Sequence, residues 1–220
     1  MKLSSSIAPI LATALVTVAA QSASAAVTTF SFQQLVDTNV GTIDGILGDG
    51  SAFSGNPGEA GFQSFDWTQN GTTVSVSASQ ANGGTAYAYL DEGFAGLGVC
   101  KILDADNECN PSHDDNVTIG EILNLNFNKV VTISSIIFRD ADHFLSSPLA
   151  QLSIDGSAFA TWSSYGSLTG SSFAFKTNGW EKSKQFYIDT VAVPEPLTIV
   201  GSLAALGVGA ALKRKQEQEA

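Results

Sequence analysis

An all-β fold, in the form of a two-sheet sandwich, is what this chain of 220 residues predicts. Three observations point there. Short runs rich in Val, Ile, Phe, Tyr and Thr alternate apolar with polar residues, the period of a half-buried strand. Gly, Asn and Asp separate the runs, and Asn70-Gly71 and Asp155-Gly156 each stand between two of them as hairpin signals. No window between residues 26 and 193 carries the 3.6-residue apolar spacing of an amphipathic helix.

The first run, 28–32, alternates Thr, Phe and Ser. The stretch 41–61 is rich in Gly and poor in core residues, so it reads as a long surface loop. Strands follow at 73–78, 86–90, 122–127 and 131–138. Four more lie at 149–154, 158–162, 172–175 and 185–193. Nine or so short strands in one domain suit a sandwich with jelly-roll connections.

Both ends carry export features. Lys2, an apolar region over 7–20 and Ala23-Ser24-Ala25 form a signal peptide over residues 1–25, with the mature chain starting at Ala26. The β domain occupies 26–193. Then come Pro194-Glu195-Pro196, sixteen uncharged residues over 197–212, the basic cluster Lys213-Arg214-Lys215 and a polar end over 216–220. As a helix the apolar stretch is about 24 Å long against a bilayer core of about 30 Å, a short anchor. The basic cluster stays cytoplasmic under the positive-inside rule, which leaves the domain outside.

Residues 194–215 resemble a PEP-CTERM sorting signal of Gram-negative bacteria: Pro-Glu-Pro, an apolar helix, then basic residues. The resemblance implies an exosortase as processing partner, a membrane-anchored precursor and a cell-surface or extracellular product. It also implies an association with exopolysaccharide.

Acids dominate. The chain carries 21 Asp and Glu against 10 Lys and Arg. Between 26 and 196 the ratio is nineteen to six, a formal charge of −13. Such a surface repels nucleic acid, which is excluded as a partner. Cys100 and Cys109 bound a ten-residue loop, and outside the cytoplasm they are expected to form a disulfide. A zinc site would need two further ligands, and only His113 is near.

The most distinctive internal stretch begins Gly96-Leu97-Gly98-Val99-Cys100 and runs through Asp114-Asp115-Asn116 to Gly120-Glu121-Ile122-Leu123. It resembles a domain common among PEP-CTERM proteins, which implies a galactose-binding-like or jelly-roll module with no assigned catalytic activity. Asp114, Asp115, Asn116 and Glu121 gather oxygen donors of the kind calcium takes. The same residues also suit plain turn chemistry, and both readings stay open at this point. Asp104-Ala105-Asp106-Asn107-Glu108 imitates EF-hand spacing, but Cys109 replaces the required Gly, so a solvated acidic loop is the better reading.

Only His113 and His143 are available for acid–base work, and neither a G-x-S-x-G elbow nor an H-E-x-x-H motif occurs. No catalytic residues are assigned and no enzyme is expected. Trp162, Tyr165 and Trp180 are the candidate platform for stacking a sugar ring. The expectation is an exported binding or structural module, with polysaccharide as partner. The rival classes are a secreted carbohydrate-active hydrolase and a self-associating matrix protein.

Overall fold

The computed structural model describes residues 26–179 and 181–195. The signal-peptide reading, Trp180, Pro196, the apolar tail helix, Lys213, Arg214 and Lys215 lie outside these residues. Among the described residues no helix is long and apolar enough to cross a membrane.

The chain is all-β. It opens with β1 (Val27–Ser31), a short helix α1 (Phe32–Asp37), β2 (Ile43–Leu47) and β3 (Ala52–Gly55). Next come β4 (Ala60–Gln69), β5 (Thr72–Gln80), β6 (Tyr87–Asp91) and β7 (Gly96–Cys100). After the cysteine loop follow β8 (Glu121–Ile133), β9 (Ser135–Arg139), β10 (Leu145–Ser146) and β11 (Gln151–Ile154). The last are β12 (Ala160–Thr161), β13 (Leu168–Lys176) and β14 (Tyr187–Pro194).

The strands join in one hydrogen-bonded path, β10-β9-β14-β7-β6-β4-β5-β8-β13-β11-β12. β1 adds to β14, and the β2–β3 hairpin adds to β4. The sheet curls, so that β8 and β14, which share no hydrogen-bond ladder, touch across the core. Aromatic rings fill the space between. Phe30 meets Trp67 and Phe127 edge-on at 5.4 and 5.9 Å, and Phe138 meets Phe186 at 5.4 Å. Such edge-to-face pairs add a fraction of a kcal/mol to about 1.5 kcal/mol each beyond area burial.

Three expectations change. The stretch 41–61 is not a surface loop. Ile43 is buried, Gly45 lies flat against Phe65, and Leu103 packs over Gly48 and Gly61. A Cβ on Gly45 would sit 2.7 Å from that of Phe65, so glycines here serve close strand contact. α1 begins at Phe32, the last residue of the expected first strand, although no helix was expected in the domain. Ser31 caps it by accepting from the Gln34 N–H, and Phe32, Leu35 and Val36 form one buried face. Finally, the run 131–138 is split at Ser134, where the chain leaves the β5 and β13 neighbours of β8 for β14. The Ser134 N–H donates to the Ala192 carbonyl at 2.9 Å and fixes that crossing.

The Asn70-Gly71 signal holds: φ is +48° and +71°, and β4 and β5 close around the pair at Gln69↔Thr72. Asp155-Gly156 turns the chain within a wider β11–β12 connection. Asp155 also accepts from the Ser171 and Ser172 N–H groups, filling the bulge in β13.

Candidate functional site

The glycine-rich strand and the acidic loop after it are one packed unit. β6 and β7 form a hairpin from Tyr87↔Cys100 to Asp91↔Gly96. Cys100, at the end of β7, is bonded to Cys109 with Cα atoms 5.8 Å apart, so the expected disulfide is present. Tyr89 secures the loop further, its hydroxyl accepting from the Cys109 N–H and donating to Glu59. Gly98 explains why the motif needs its second glycine. A Cβ there would fall 1.9 Å from the Asp115 carbonyl oxygen, so only glycine lets the 114–116 segment lie on β7.

Asp104 does what an Asx turn does: its Oδ1 accepts from the Asp106 and Glu108 N–H groups. The four residues named for calcium are not gathered on one point. Lys101 Nζ lies between Asp114, at 3.0 Å, and the fully buried Glu121, at 2.7 Å. Glu121 Oε2 also accepts from the Thr118 N–H at 2.5 Å. Asp115 turns the other way, accepting from the Tyr187 hydroxyl at 2.5 Å. Among the described residues no group of three or more His, Cys, Asp or Glu is arranged to hold a metal ion. The donor set does not fit calcium, because an ammonium already stands between two of its carboxylates.

Burial pulls the Lys101 ammonium down in pKa, and the carboxylates of Glu121 and Asp114 more than reverse it. Burial pushes the Glu121 carboxyl up, with Lys101 and Thr118 limiting the rise.

A cavity of about 630 Å³ opens beside this loop, within the usual size of small-molecule sites. Asp114, Asp115, Asn116, His143, Lys182 and Tyr187 are among its lining residues. His143 arrives from the turn after β9 and joins the hairpin turn after β6. Its Nδ1 lies 2.8 Å from the Gly93 carbonyl, so Nδ1 carries the donated hydrogen, and Nε2 faces Asp91 Oδ2 at 3.3 Å. The imidazole stands edge-on to the Tyr187 ring at 5.3 Å. Arg139 pairs with Asp189 at 2.7 Å and donates to the His143 carbonyl. Asp37, at the end of α1, accepts from both Gly93 and Phe94 N–H groups.

Two residues at this junction hold left-handed backbone, Phe94 at φ +69° and His143 at φ +65°. For a bulky non-glycine residue that conformation is strained and clusters at functional sites. Burial, then the neighbouring Asp115 carboxylate, push the Asp91 carboxyl up to about 8. Burial also raises Asp115, with the Tyr187 hydroxyl opposing. The Tyr187 phenol is driven well above its ordinary range by burial and by the carboxylates of Asp115 and Asp91.

Asn116 is the unresolved partner. Its amide hydrogen-bonds the Tyr187 oxygen, yet its own Oδ1, in a side chain 2% exposed, accepts nothing. A buried acceptor left unmade costs about 1–3 kcal/mol.

The other named candidates fall elsewhere. Trp162 leans on Phe138 with its indole N–H on the Pro148 carbonyl, and the Tyr165 hydroxyl donates to the Leu152 carbonyl. Both pack against the core, far from an open stacking platform in character. Pro194 ends β14 opposite Val27, and Glu195 extends the pairing, its N–H donating to the Ala26 carbonyl at 2.7 Å. Thr28 Oγ1 donates to the Glu195 carboxylate at 3.1 Å. Sequence reasoning named His143 only as one of two histidines and missed Asp91, Lys101 and Tyr187. The available signal was Tyr187 and Asp189 in a strand buried along both faces. Compared with family models, curated proteins and solved structures, the chain matches none of them.

Proposed function

We propose that this chain is an exported cell-surface or extracellular-matrix protein, delivered by its signal peptide and processed by an exosortase at the 194–215 tail. In this reading the curled sheet is a two-sheet sandwich of jelly-roll or galactose-binding-like type. The domain acts as a binding module, with a polysaccharide of the matrix as its partner. One observation carries the proposal: the Cys100–Cys109 disulfide closes the loop whose Lys101 lines the cavity. Disulfides persist in oxidising compartments, and a stapled wall lowers the ordering cost of binding.

The test has two arms. Deleting the exosortase should leave a heavier, membrane-associated precursor, whereas a chain ending at Pro196 should leave the membrane. The secreted protein should also co-sediment with extracellular polysaccharide from the same cells. An unchanged precursor mass and no co-sedimentation would sink the reading.

A secreted hydrolase is the rival, favoured by the raised Asp91 carboxyl set close to Asp115 behind the cavity. New reducing ends released from polysaccharide, and lost in Asp115→Asn, would move the assignment there.

A further inference from the structure

We infer that the cavity beside the disulfide loop takes an uncharged, polyhydroxylated ring, such as a neutral pyranose unit, whose hydroxyls donate to Asn116 and Asp115. This deepens the binding reading above and rests on it. The lining mixes polar and apolar surface, and its two ammonium groups are already matched. Lys101 is held between Asp114 and Glu121, and Lys182 lies 2.7 Å from Asp142. An anionic ligand would have to displace those carboxylates, and a cationic one would have to displace the ammonium groups. Neither charge sign is called for.

What goes unmatched at the cavity wall is a hydrogen-bond acceptor. Asn116 is a lining residue whose Oδ1 is buried and has no partner, while the other end of its amide is engaged with Tyr187. That engagement fixes which end of the amide is free. Asp115 is oriented by the Tyr187 hydroxyl on one oxygen. Both acceptors are rigid, since their backbone lies on Gly98 with no room for a Cβ. A preorganised acceptor waiting for an O–H is the complement of a sugar hydroxyl. Phe144 follows the lining residue His143 in the chain and is 71% exposed, an aromatic surface adjoining a residue of the cavity wall. An inorganic anion or a metal would have no use for it.

Saturation-transfer NMR on the secreted protein, as isolated, tests this. The probes are millimolar methyl glucoside, methyl galactoside, methyl mannoside and N-acetylglucosamine, set against glucuronic acid, glucosamine and inorganic phosphate. At least one neutral glycoside should bind, and the charged probes should bind more weakly. Asn116→Leu removes the acceptor at similar volume and should weaken binding by about tenfold or more while the melting point holds or rises. Should that variant fail to fold, Ala141→Trp obstructs the cavity from a half-buried turn position and should have the same effect on binding. Neutral glycosides that ignore the parent protein, or that bind both variants as well as the parent, would overturn the inference. So would a preference for the charged probes. Scoring export and tail processing in the same cells separates the two failures: a correctly processed protein that binds no neutral glycoside sinks the ligand class alone.

Discussion

Replacing Asp91 with Asn should stabilise this protein, and the gain should grow with pH. Asp91 is 6% exposed, and its Oδ2 has no hydrogen-bond donor, only His143 Nε2 at 3.3 Å. Its folded-state pKa of about 8 lies above the ordinary 3.8. The folded state therefore holds a proton that the unfolded chain releases across that window. Stability from this group is full below pH 3.8 and is lost as pH rises towards 8, at about 1.4 kcal/mol per pH unit. From 3.8 to 7 the loss comes to about 4 kcal/mol. Asn keeps the shape, stays uncharged and offers an N–H toward the imidazole. Urea denaturation at pH 4, 5.5, 7 and 8 should show parent and Asp91→Asn nearly equal at pH 4. They should then diverge by about 2–4 kcal/mol at neutral pH, after discounting for attraction to His143. If Asp91→Asn is instead the less stable protein at pH 7 to 8, Asp91 is an ionised partner of the imidazole and the reasoning fails.

Other perturbations follow from the same contacts. Cys100→Ser should cost about 2.7 kcal/mol through the ten-residue loop, read as a lower urea midpoint, with faster hydrogen exchange at the Cys109 N–H. Gly98→Ala should cost about 1–3 kcal/mol and shift the Tyr187 resonances, because the new methyl displaces the Asp115 carbonyl. Lys101→Met leaves Glu121 buried without its ammonium. With Lys101 about a third exposed, a loss of about 2–3 kcal/mol at pH 7 is expected, recovered in part by adding Glu121→Gln. Millimolar calcium should leave the melting point where it is; a rise of several degrees would restore the metal reading of Asp114, Asp115 and Glu121.

How much of this was legible depends on the range of the interaction concerned. Period-two alternation is a local property, so most strands could be read directly, and Asn70-Gly71 announced its hairpin because positive φ at both positions demands such residues. The β2–β3 hairpin was hidden for the opposite reason. Its glycines looked like a loop because they hold no side chain, yet Gly45, Gly48 and Gly61 are bare so that Phe65 and Leu103 can close over them. The α1 helix spans too few residues for its period to register. Ser134-Ser135 interrupts the alternation of the 131–138 run, but the sequence does not say that the chain changes neighbours there.

The site follows the same division. The cysteine loop declared itself, because two cysteines in a chain expected to be exported have few alternatives. Asp115 was singled out, but for the wrong partner: its hydroxyl donor is Tyr187, 72 positions along the chain. Asp91 and His143 meet only because β14 lies between β7 and β9, which brings the turns at their ends together beside Tyr187. A cluster of carboxylates in sequence suggested a cation. In space the cation is the chain's own Lys101, and at the cavity wall the acceptor still lacking a partner is the Oδ1 of the neutral Asn116 amide. Local acidity says little about what a site accepts until the residues that neutralise it have been placed. What then distinguishes this cavity is the acceptor that nothing in the folded chain satisfies.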